Sequence, residues 1–491
     1  MKSVIIIGAG IGGLSAAIHL AVQGISVTVL EQSDAAGGKM REVRAEGFRW
    51  DTGPSVITMR PVLEELFAAG GRRLDDELAL APVEPLTRYF YEDGVVLDAT
   101  RDRAAMAERI GRIDPADAHG YAAYLDHAEF LHRVTGPLFV YGPKPSLADL
   151  AKFNPLDALR IEPFSPLSKS IARRVRSPHV RQLLGRFATY VGTSPYLAPA
   201  TLGVISHVEL NEGVWYPRGG VYTIARALEG LARSAGADIR LNTDVQRIIV
   251  RDGRATGVLL AGGETLAADA VLANADAARV YNRLLPQEVA PAKRAQRLGL
   301  APASCSGFML LLGVVREHPQ LAHHNIFFSR DYEREFADIF ERDVPPAEPT
   351  VYVSISSKTD PEDAPPGCEN WYVLVNAPPL GVAFDWRAQA RAYRDVVLDQ
   401  LERFGIDLAP HIVVERMVTP LDIEAGSRSW RGALYGELFD SPWVAFRRPG
   451  SRAGDIKGLY LAGGTVHPGG GVPMVMLSGK LAANAILADL G

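Results

Sequence analysis

Apolar and polar positions at the start of the chain predict a strand, a helix and a second strand in succession. Residues 4–7 are a short, fully apolar run rich in β-branched side chains, which is typical of a buried parallel strand. A helical pattern follows over residues 14–23, and a second strand pattern covers residues 26–30. This order predicts a βαβ unit, in which a helix joins two parallel strands.

The rest of the pattern predicts strands and helices to the end of the chain. Residues 114–186 are mostly helical with proline breaks, and residues 316–350 are charged and proline-rich, which predicts an exposed excursion. Turns at Asp252-Gly253 and Gly262-Gly263 predict hairpins between short strands of residues 237–274. The other predicted elements are strands at 48–51, 86–97, 305–315, 352–355, 371–376 and 459–462, and helices at 60–69, 388–404 and 472–487.

The first turn carries glycines with the spacing of a dinucleotide-binding fingerprint. Gly8, Gly10 and Gly13 follow the first strand as G-x-G-x-x-G, where glycines let the backbone approach a pyrophosphate at a helix N-terminus. Glu31 ends the second strand, where an acid accepts hydrogen bonds from a ribose diol and disfavours a 2′-phosphate. The alternative is a glycine-rich turn that binds nothing. The complete order of strand, helix, strand and acid favours FAD or NAD.

A second glycine turn, at Gly37-Gly38, follows this unit. Lys39 and Arg41 place positive charge just beyond the strand that carries Glu31. We interpret this charge as neutralising a phosphate or a flavin, with solvated surface charge as the alternative. Repeated glycine turns within one cofactor-sized unit predict backbone packed closely around a large ligand.

Composition restricts the function without choosing one. The 491 residues are 47% hydrophobic and 22% charged, and the formal net charge of −5 gives no reason to expect nucleic acid. The two cysteines, Cys305 and Cys368, fit neither a disulfide framework nor a C-x-x-C motif, which favours a reducing, cytoplasmic compartment. No apolar run reaches the length of a bilayer-spanning helix, so no transmembrane helix is predicted.

These motifs resemble a known family. The fingerprint ending in Glu31, the segment GGKMRE at 37–42 and the segment DTGPSVIT at 51–58 resemble the bacterial carotenoid desaturases, FAD flavoproteins similar in fold to monoamine oxidases and Rab GDP-dissociation inhibitors. The resemblance implies an α/β fold. A Rossmann-like FAD-binding domain of the glutathione-reductase/amine-oxidase type is interleaved with a substrate domain of mixed sheet and helices.

The resemblance also implies a division of the chain. FAD-binding segments are expected at 1–75, 216–280 and 451–491, a helical, membrane-facing substrate segment at 76–215, and the rest of the substrate domain at 281–450. The two glycine-rich ends of the chain predict one ligand held by both, which favours a flavin over a nicotinamide half-domain.

Contacts to the cofactor are carried over residue by residue. By resemblance, Val245 contacts adenine through its backbone, and GGTVHPGGG at 463–471 with the helix after it is the C-terminal flavin motif. Asn274-Ala275-Asp276 resembles a family tripeptide and also fits a helix N-cap. The predicted cofactor contacts are Gly8, Gly10, Gly12, Gly13, Glu31, Gly38, Lys39, Val245, Gly464, Gly471, Val472 and Pro473.

Motifs of hydrolytic and metal-dependent enzymes do not occur. We find no G-x-S-x-G, H-E-x-x-H, P-loop or zinc spacing. The pair His323-His324 lacks further ligands at suitable spacing, so no metal is predicted. His467 is a candidate proton acceptor beside the flavin loop, although a structural role is favoured, and no catalytic residue is named.

The reaction follows from the resemblance. It implies that FAD takes a hydride while an acyclic carotenoid gains a carbon–carbon double bond, with oxygen or a quinone as the electron acceptor. The segment GGKM at 37–40 and the C-terminal HPGGGVPMVMLSGKLAA look more like the hydroxycarotenoid 3,4-desaturases than the alternative, phytoene or dehydrosqualene desaturases. A flavin amine oxidase and a non-catalytic prenyl-binding protein are the rivals from other classes.

A long apolar isoprenoid substrate implies peripheral contact with a membrane. Basic residues lie among apolar ones in the helical region, which suits an anionic bilayer; a core-facing helix with a solvated basic side is the alternative. Trp215 and Tyr216 are interpreted as tunnel lining or as core aromatics. The basic residues in question are Lys169, Arg173, Arg174, Arg176, Arg181 and Arg186.

Overall fold

The computed structural model describes residues 1–491, and its strands form one parallel sheet and several antiparallel or mixed ones. The strands are β1 (Ser3–Ile7), β2 (Ser26–Leu30), β3 (Glu42–Ala45), β4 (Phe48–Asp51), β5 (Leu80–Pro82), β6 (Thr87–Phe90), β7 (Val96–Ala99), β8 (Trp215–Pro217), β9 (Asp238–Arg240), β10 (Val245–Arg251), β11 (Arg254–Leu260), β12 (Thr265–Ala267), β13 (Ala270–Ala273), β14 (Ser306–Val314), β15 (His324–Phe327), β16 (Val351–Ile355), β17 (Glu369–Ala377), β18 (Ile412–Val418) and β19 (Leu459–Leu461).

Helices join these strands and form a separate region between β7 and β8. A π-helix, Val208–Glu212, continues the ninth helix. The α-helices are α1 (Ile11–Ala21), α2 (Arg60–Ala69), α3 (Leu74–Glu77), α4 (Arg103–Ile113), α5 (Pro115–Phe139), α6 (Pro155–Arg160), α7 (Leu167–Ala172), α8 (Pro178–Gly185), α9 (Val204–His207), α10 (Tyr222–Ser234), α11 (Ala277–Arg279), α12 (Ala292–Leu300), α13 (Tyr332–Phe340), α14 (Trp386–Arg403), α15 (Pro420–Ser427), α16 (Val444–Arg447) and α17 (Val472–Leu490).

The parallel sheet has the strand order β19-β13-β1-β2-β9. Its central strand β1 is apolar on both faces, and Ile7 pairs with Leu30 of β2 and with Ala273 of β13. Parallel strands end at a common edge, so the loops that follow β1, β2, β13 and β19 meet there. This edge brings distant parts of the chain into one place.

Helix α17 returns the end of the chain to this sheet. By length and composition it is the one helix that could cross a membrane, but 56% of its apolar window is buried within the protein. Ser15 Oγ of α1 donates to the Met476 carbonyl of α17 at 2.8 Å. A Cβ on Gly479 would collide with the Gly12 carbonyl, so the two helices pack with their backbones nearly in contact.

A seven-stranded sheet, ordered β18-β14-β17-β16-β15-β6-β7, forms the second layer. Every residue of β14 is buried, which confirms the predicted core strand. Helix α14 covers one face of this sheet, with the Phe308 and Trp386 rings stacked at 5.5 Å between centroids. Large apolar side chains therefore cover this face of the sheet.

The predicted exposed excursion at residues 316–350 is wrong. Residues His324–Phe327 form β15, all four are buried, and the strand pairs with β16 and with β6. Asn325 lies opposite Arg88, far away in sequence. The charged residues around this short strand dominate the local composition, whereas long-range pairing decides its burial.

Candidate functional site

Glycines at the shared edge of the parallel sheet surround the side chain of Asn274. A Cβ on Gly8 would lie 2.7 Å from the Asn274 carbonyl oxygen, and one on Gly10 or Gly12 would lie 2.9 Å or 2.8 Å from its amide. Asn274 Nδ2 donates to the Gly8 carbonyl at 3.2 Å. Only glycine fits these approaches. We call this group the glycine cradle; it consists of Gly8, Gly10, Gly12, Gly13 and Gly463.

Two helices begin at the cradle without a side-chain cap. Gly10 is the N-cap residue of α1 and Gly471 is that of α17. The first N–H groups of a helix have no partner within the helix, and here no side chain supplies one. Both helix ends are therefore available to anionic phosphates or to a polar ring edge.

Glu31 is buried at the end of β2 and braces the fingerprint turn. Its Oε2 accepts from the Ala9 N–H at 2.8 Å, and its Oε1 accepts from the Ser33 N–H at 3.0 Å and from the Ser33 hydroxyl. A carboxylate has about four acceptor positions, which leaves room for a ribose hydroxyl. Glu31 can therefore hold the turn and a ribose together.

The second glycine turn packs against the first. Gly37 N–H donates to the Ala9 carbonyl at 2.9 Å, and a Cβ on Gly38 would lie 3.1 Å from the Gly10 Cα. Both glycines have positive φ, which glycine adopts without strain. The turn thereby forms one wall of the cradle.

Lys39 lies beside this wall. Its Nζ donates to the carbonyl oxygen of Leu434 at 2.7 Å. The side chain has exposed area although protein surrounds it, as expected of a group that lines a recess. Desolvation lowers the pKa of Lys39 to about 8, and the nearby Asp276 carboxylate opposes that shift. A phosphate bound beside Lys39 would raise the pKa of its ammonium group back towards the usual value.

The C-terminal loop closes the cradle from the other side. A Cβ on Gly12 would lie 3.1 Å from the Val475 carbonyl, and Gly463 N–H donates to Ser478 Oγ at 3.1 Å. Val472 and Pro473 form the first turn of α17, where proline's missing N–H costs nothing. The two ends of the chain thus contribute to one site.

Val245 lies near the ribose side of this site. Thr243 N–H donates to the Glu31 carbonyl at 2.7 Å, and Val245 begins β10 two residues later, buried. The structure therefore brings all twelve sequence-predicted contacts to the loops around one sheet edge. Their contact with a cofactor stays a prediction. Asp276 caps α11 by accepting from the Ala278 N–H at 2.8 Å, which confirms the N-cap interpretation.

A buried polar cluster that no sequence pattern predicted joins β6, the segment 186–191 and the π-helix. Arg186 pairs with Glu209 and donates from Nε to the Tyr89 hydroxyl at 2.8 Å, and the Tyr190 hydroxyl donates to Glu209. Burial and the Glu209 charge raise the pKa of Tyr190. We call Tyr89, Arg186, Tyr190 and Glu209 the buried polar cluster. Arg186 was expected on a basic surface, so this part of that expectation is wrong.

Two buried histidines lie close to this cluster. His324 Nδ1 is 2.8 Å from the Tyr352 hydroxyl, which donates to Ser55 Oγ at 2.7 Å. His323 Nδ1 is 2.7 Å from Thr359 Oγ1. Desolvation lowers the pKa of both, to about 3 for His323, so both rings are neutral. Their Nε2 atoms are buried without a partner.

A buried carboxyl group stabilises the same side of the molecule. Glu335 Oε2 accepts from Ser329 Oγ and from Thr350 Oγ1, each at 2.6 Å. Burial raises the pKa of Glu335 to about 7, although these hydrogen bonds oppose the shift. Glu335 is therefore largely protonated below neutral pH.

Tyr216 is a core residue rather than a tunnel wall. It is buried, and its hydroxyl donates to Asp363 at 2.7 Å and lies 3.3 Å from Arg49. Trp215 is half-buried, and the Arg60 guanidinium carbon lies over its ring, 5.0 Å from the ring centroid. Buried hydrogen bonds, which the sequence pattern does not show, place Tyr216 inside.

His467 has the structural role that the sequence favoured. It is buried, its Nε2–H donates to the Gly142 carbonyl at 3.0 Å, and burial lowers its pKa to about 4. This bond ties the glycine-rich loop 463–471 to Gly142, two residues before Lys144, which lines a recess of about 540 Å³. The recess is lined by Lys144, Pro145, Ser146, Leu147, Trp443, Phe446 and Arg447.

Exposed apolar side chains occur in this recess and in the chain segment 147–164 that follows its first lining residues; we call them the apolar patch. The Phe164 and Trp443 rings lie 6.0 Å apart, and Trp443 lies 6.2 Å from Phe446. Four aromatic or leucine side chains here are more than half exposed: Leu147, Leu156, Leu159 and Phe164. By contrast, Arg173 and Arg174 pair with Glu162, which reduces the basic surface expected there.

Comparison with known proteins gives a family and several full-length relatives. The profile of the flavin-containing amine oxidoreductases matches residues 11–487. A 4,4′-diapolycopene oxygenase of Methylomonas sp. is 39% identical over 100% of this chain and 99% of its own. A 4,4′-diaponeurosporene oxygenase of Staphylococcus aureus (strain MSSA476) is 36% identical over 99% and 98%.

Solved structures share the architecture at lower identity. Wild-type putrescine oxidase bound to putrescine has a TM-score of 0.63 at 16% identity, with 99% of each chain covered. Cyclohexylamine oxidase from Brevibacterium oxydans IH-35A has a TM-score of 0.62 at 19% identity, with 100% of this chain and 99% of that chain covered. The predicted fold class is confirmed by these similarities.

Proposed function

This chain belongs to the family of flavin-containing amine oxidoreductases, and we propose that it oxygenates a linear carotenoid. It is an FAD-dependent oxidoreductase, as the sequence predicted. The observation that carries the substrate class is the full-length similarity to relatives named as oxygenases of diapolycopene and diaponeurosporene. Amine oxidation is not proposed, since the amine oxidases are similar at fold level only.

The residues of the cradle fit FAD. The glycines exclude side chains from the turn, and two uncapped helix ends and Lys39 offer positive charge to a pyrophosphate. Glu31 would hold the ribose, the Val245 backbone would hold the adenine, and Gly38, Gly464, Gly471, Val472 and Pro473 would contact the rest. FAD supplies two-electron redox chemistry when bound. The chain supplies position and a dry environment.

The substrate reaches the site through the recess at Lys144–Arg447. Leu147, Trp443 and Phe446 line the recess with apolar surface, and His467 of the C-terminal loop bonds to Gly142, two residues before the lining residue Lys144. Burial of each CH₂ group is favourable by about 0.8 kcal/mol both in the protein and in lipid. Transfer of a carotenoid chain from the bilayer into the protein therefore has almost no free-energy cost. No side chain is assigned as an acid or base.

Desaturation at the 3,4 position of a hydroxylated acyclic carotenoid is the second candidate. It is favoured by the GGKM segment at 37–40 and by the C-terminal flavin motif. Desaturation removes two hydrogens and passes two electrons to oxygen or a quinone. Oxygenation instead places one oxygen atom from O₂ in the product and releases the other as water with two hydrogens of the substrate, so that R–CH₃ + O₂ gives R–CHO + H₂O. The two reactions therefore differ in product mass and isotope content.

The deciding experiment uses liposomes that contain one carotenoid. FAD-loaded protein is incubated with diapolycopene, diaponeurosporene or a 1-hydroxylated acyclic carotenoid under ¹⁸O₂, and the products are analysed by mass spectrometry. We expect ¹⁸O in the product of a diapocarotenoid. Loss of two hydrogens from the hydroxylated substrate, without ¹⁸O and equally with a quinone under argon, would replace this proposal with 3,4-desaturation. Unchanged carotenoids throughout would refute both.

The apolar patch rests on the membrane, with Lys144 and Arg447 near anionic headgroups. Leu156→Asp combined with Leu159→Asp should weaken sedimentation with anionic liposomes, because both side chains are largely exposed and would enter lipid. The control is Val382→Asp, a fully exposed position elsewhere. Equal sedimentation of both variants would refute this placement.

The division predicted from the sequence extends this proposal. Strands of the parallel sheet come from residues 1–75, 216–280 and 451–491, and the seven-stranded sheet draws on residues 76–215 and 281–450. The first set forms the FAD-binding domain and the second the substrate domain, with the helical, membrane-facing part within 76–215.

A further inference from the structure

Three potential metal ligands lie together in the helical region, although the sequence predicted no metal. They are His132 of α5, His207 at the end of α9, and Glu212 at the end of the π-helix. One ligand atom of each lies within 4.8 Å of the other two, and all three residues are half-buried. His207 Nε2 is 3.6 Å from Glu212 Oε1.

The π-helix is what places His207 and Glu212 on one face. In an α-helix, residues five apart point about 140° away from each other. The segment Val208–Glu212 instead makes i→i+5 hydrogen bonds, which bring such residues nearly into line. Short π-helices occur frequently at functional sites. The backbone therefore adopts a rare form at the position where it unites these two side chains.

The neighbouring groups orient the two imidazoles. The His132 and His207 rings lie 4.9 Å apart between centroids, and the Tyr141 hydroxyl is 3.1 Å from His132 Nε2. The Asn211 amide is 2.8 Å from His207 Nδ1. With its oxygen turned to Nδ1–H, this amide leaves Nε2 free to bind a metal, as carbonyl groups do for metal-binding histidines.

The charges of the site favour a cation. Each imidazole offers one ring nitrogen to a metal ion. Glu212 adds one negative charge. The ligand atoms need to approach each other by about 1 Å to reach metal–ligand bonds of about 2.0–2.2 Å, a change within the reach of side-chain rotation.

We propose that His132, His207 and Glu212 bind one divalent first-row transition-metal ion. Two imidazoles and one carboxylate suit zinc or iron(II), and three protein ligands leave coordination positions open. The ion would join α5 to the segment that leads into β8. Its ligand His207 is two residues before Glu209 of the buried polar cluster. This site is independent of the reaction proposed above.

The test measures Zn²⁺ binding to the FAD-loaded protein by isothermal titration calorimetry, with elemental analysis after desalting. We expect about one Zn²⁺ per chain, and at least tenfold weaker binding in Glu212→Gln and His207→Gln. Asn211→Ala should also weaken binding, because it removes the group that orients His207. Addition of Co²⁺ should give visible absorption bands beyond the flavin spectrum.

The matched control is His119→Gln, since His119 is exposed on the same helix as His132. It should bind Zn²⁺ as the unmodified protein does. The flavin spectrum of each variant checks that it is folded, and Glu212→Gln conserves size at a half-buried position. Absence of saturable Zn²⁺ binding, or equal binding in Glu212→Gln, His207→Gln and His119→Gln, would overturn the proposal.

Discussion

The glycine cradle and the buried polar cluster are built in opposite ways. In the cradle, missing side chains let backbone segments and Asn274 come within about 3 Å of each other. In the cluster, the side chains of Arg186 and Glu209 are buried and their opposite charges form an ion pair. The cradle presents two helix ends without side-chain caps, whereas the cluster has no unpaired charge to offer a ligand.

This difference predicts that substitutions in the cradle and in the cluster damage the protein in different ways. A larger residue harms the cradle by collision, and its effect appears first in cofactor binding. A neutral residue harms the cluster by leaving one buried charge alone, and its effect appears first in stability. Three experiments test this contrast, and a fourth measures another buried charged group, the carboxyl group of Glu335.

The largest effect is expected from Arg186→Met. It leaves Glu209 buried without its partner, which should lower the free energy of unfolding by about 3–5 kcal/mol, measured by urea denaturation. Replacing both partners, in Arg186→Met with Glu209→Leu, should restore most of the loss. The control is Arg173→Met, because Arg173 is exposed and its pair with Glu162 should contribute less than about 1 kcal/mol. Equal losses in the two single variants would contradict the contrast.

A pH dependence is expected from Glu335. Its pKa is raised to about 7 in the folded protein, so between about pH 4.5 and 7 the folded state holds a proton that the unfolded state has lost. Stability should therefore fall by about 3 kcal/mol as the pH rises through this window, and stay level above it. Glu335→Gln should remove this decline, whereas the exposed Glu341→Gln should retain it. If stability still declines over this pH range in Glu335→Gln, the decline comes from other titratable groups.

The cradle is tested by Gly13→Ala. The new Cβ would collide with the Gly8 carbonyl, which should cost about 2–3 kcal/mol and reduce the FAD content of the purified protein, measured by its flavin absorbance. Gly230→Ala is the control, because this helical glycine is exposed and has no atom nearby. It should gain up to about 1 kcal/mol from helix propensity. Full FAD content in Gly13→Ala would show that the cradle tolerates side chains.

The smallest effect is expected from Lys39→Met. Loss of the Lys39 ammonium group beside the glycine cradle should weaken FAD binding by about tenfold, or about 1.4 kcal/mol. Fluorescence titration of the cofactor-free protein measures this change. Stability without FAD should change little, because Lys39 bonds only to backbone carbonyl groups. Lys2→Met, at an exposed position, should bind FAD normally. Normal FAD binding by Lys39→Met would exclude a role in holding phosphate.

The same contrast explains what the sequence could predict. The fingerprint, its helix and Glu31 lie within 31 residues, so spacing alone located them and the βαβ unit. The cluster joins Tyr89, Arg186 and Glu209 from separate segments, and no local period marks them. β15 was mistaken for an exposed loop for the same reason, because pairing with distant β6 decides its burial.

The packing of α17 on α1 has a consequence for synthesis of the protein on the ribosome. Ser15 and Met476 bond across 461 positions of sequence, so the proposed cofactor site is incomplete until α17 emerges. At about 5–20 residues per second, the fingerprint waits roughly 20–90 s for its other half. On the proposed cofactor contacts, FAD is therefore bound only after α17 has been synthesised, and a chain that stops before α17 should purify without a flavin spectrum.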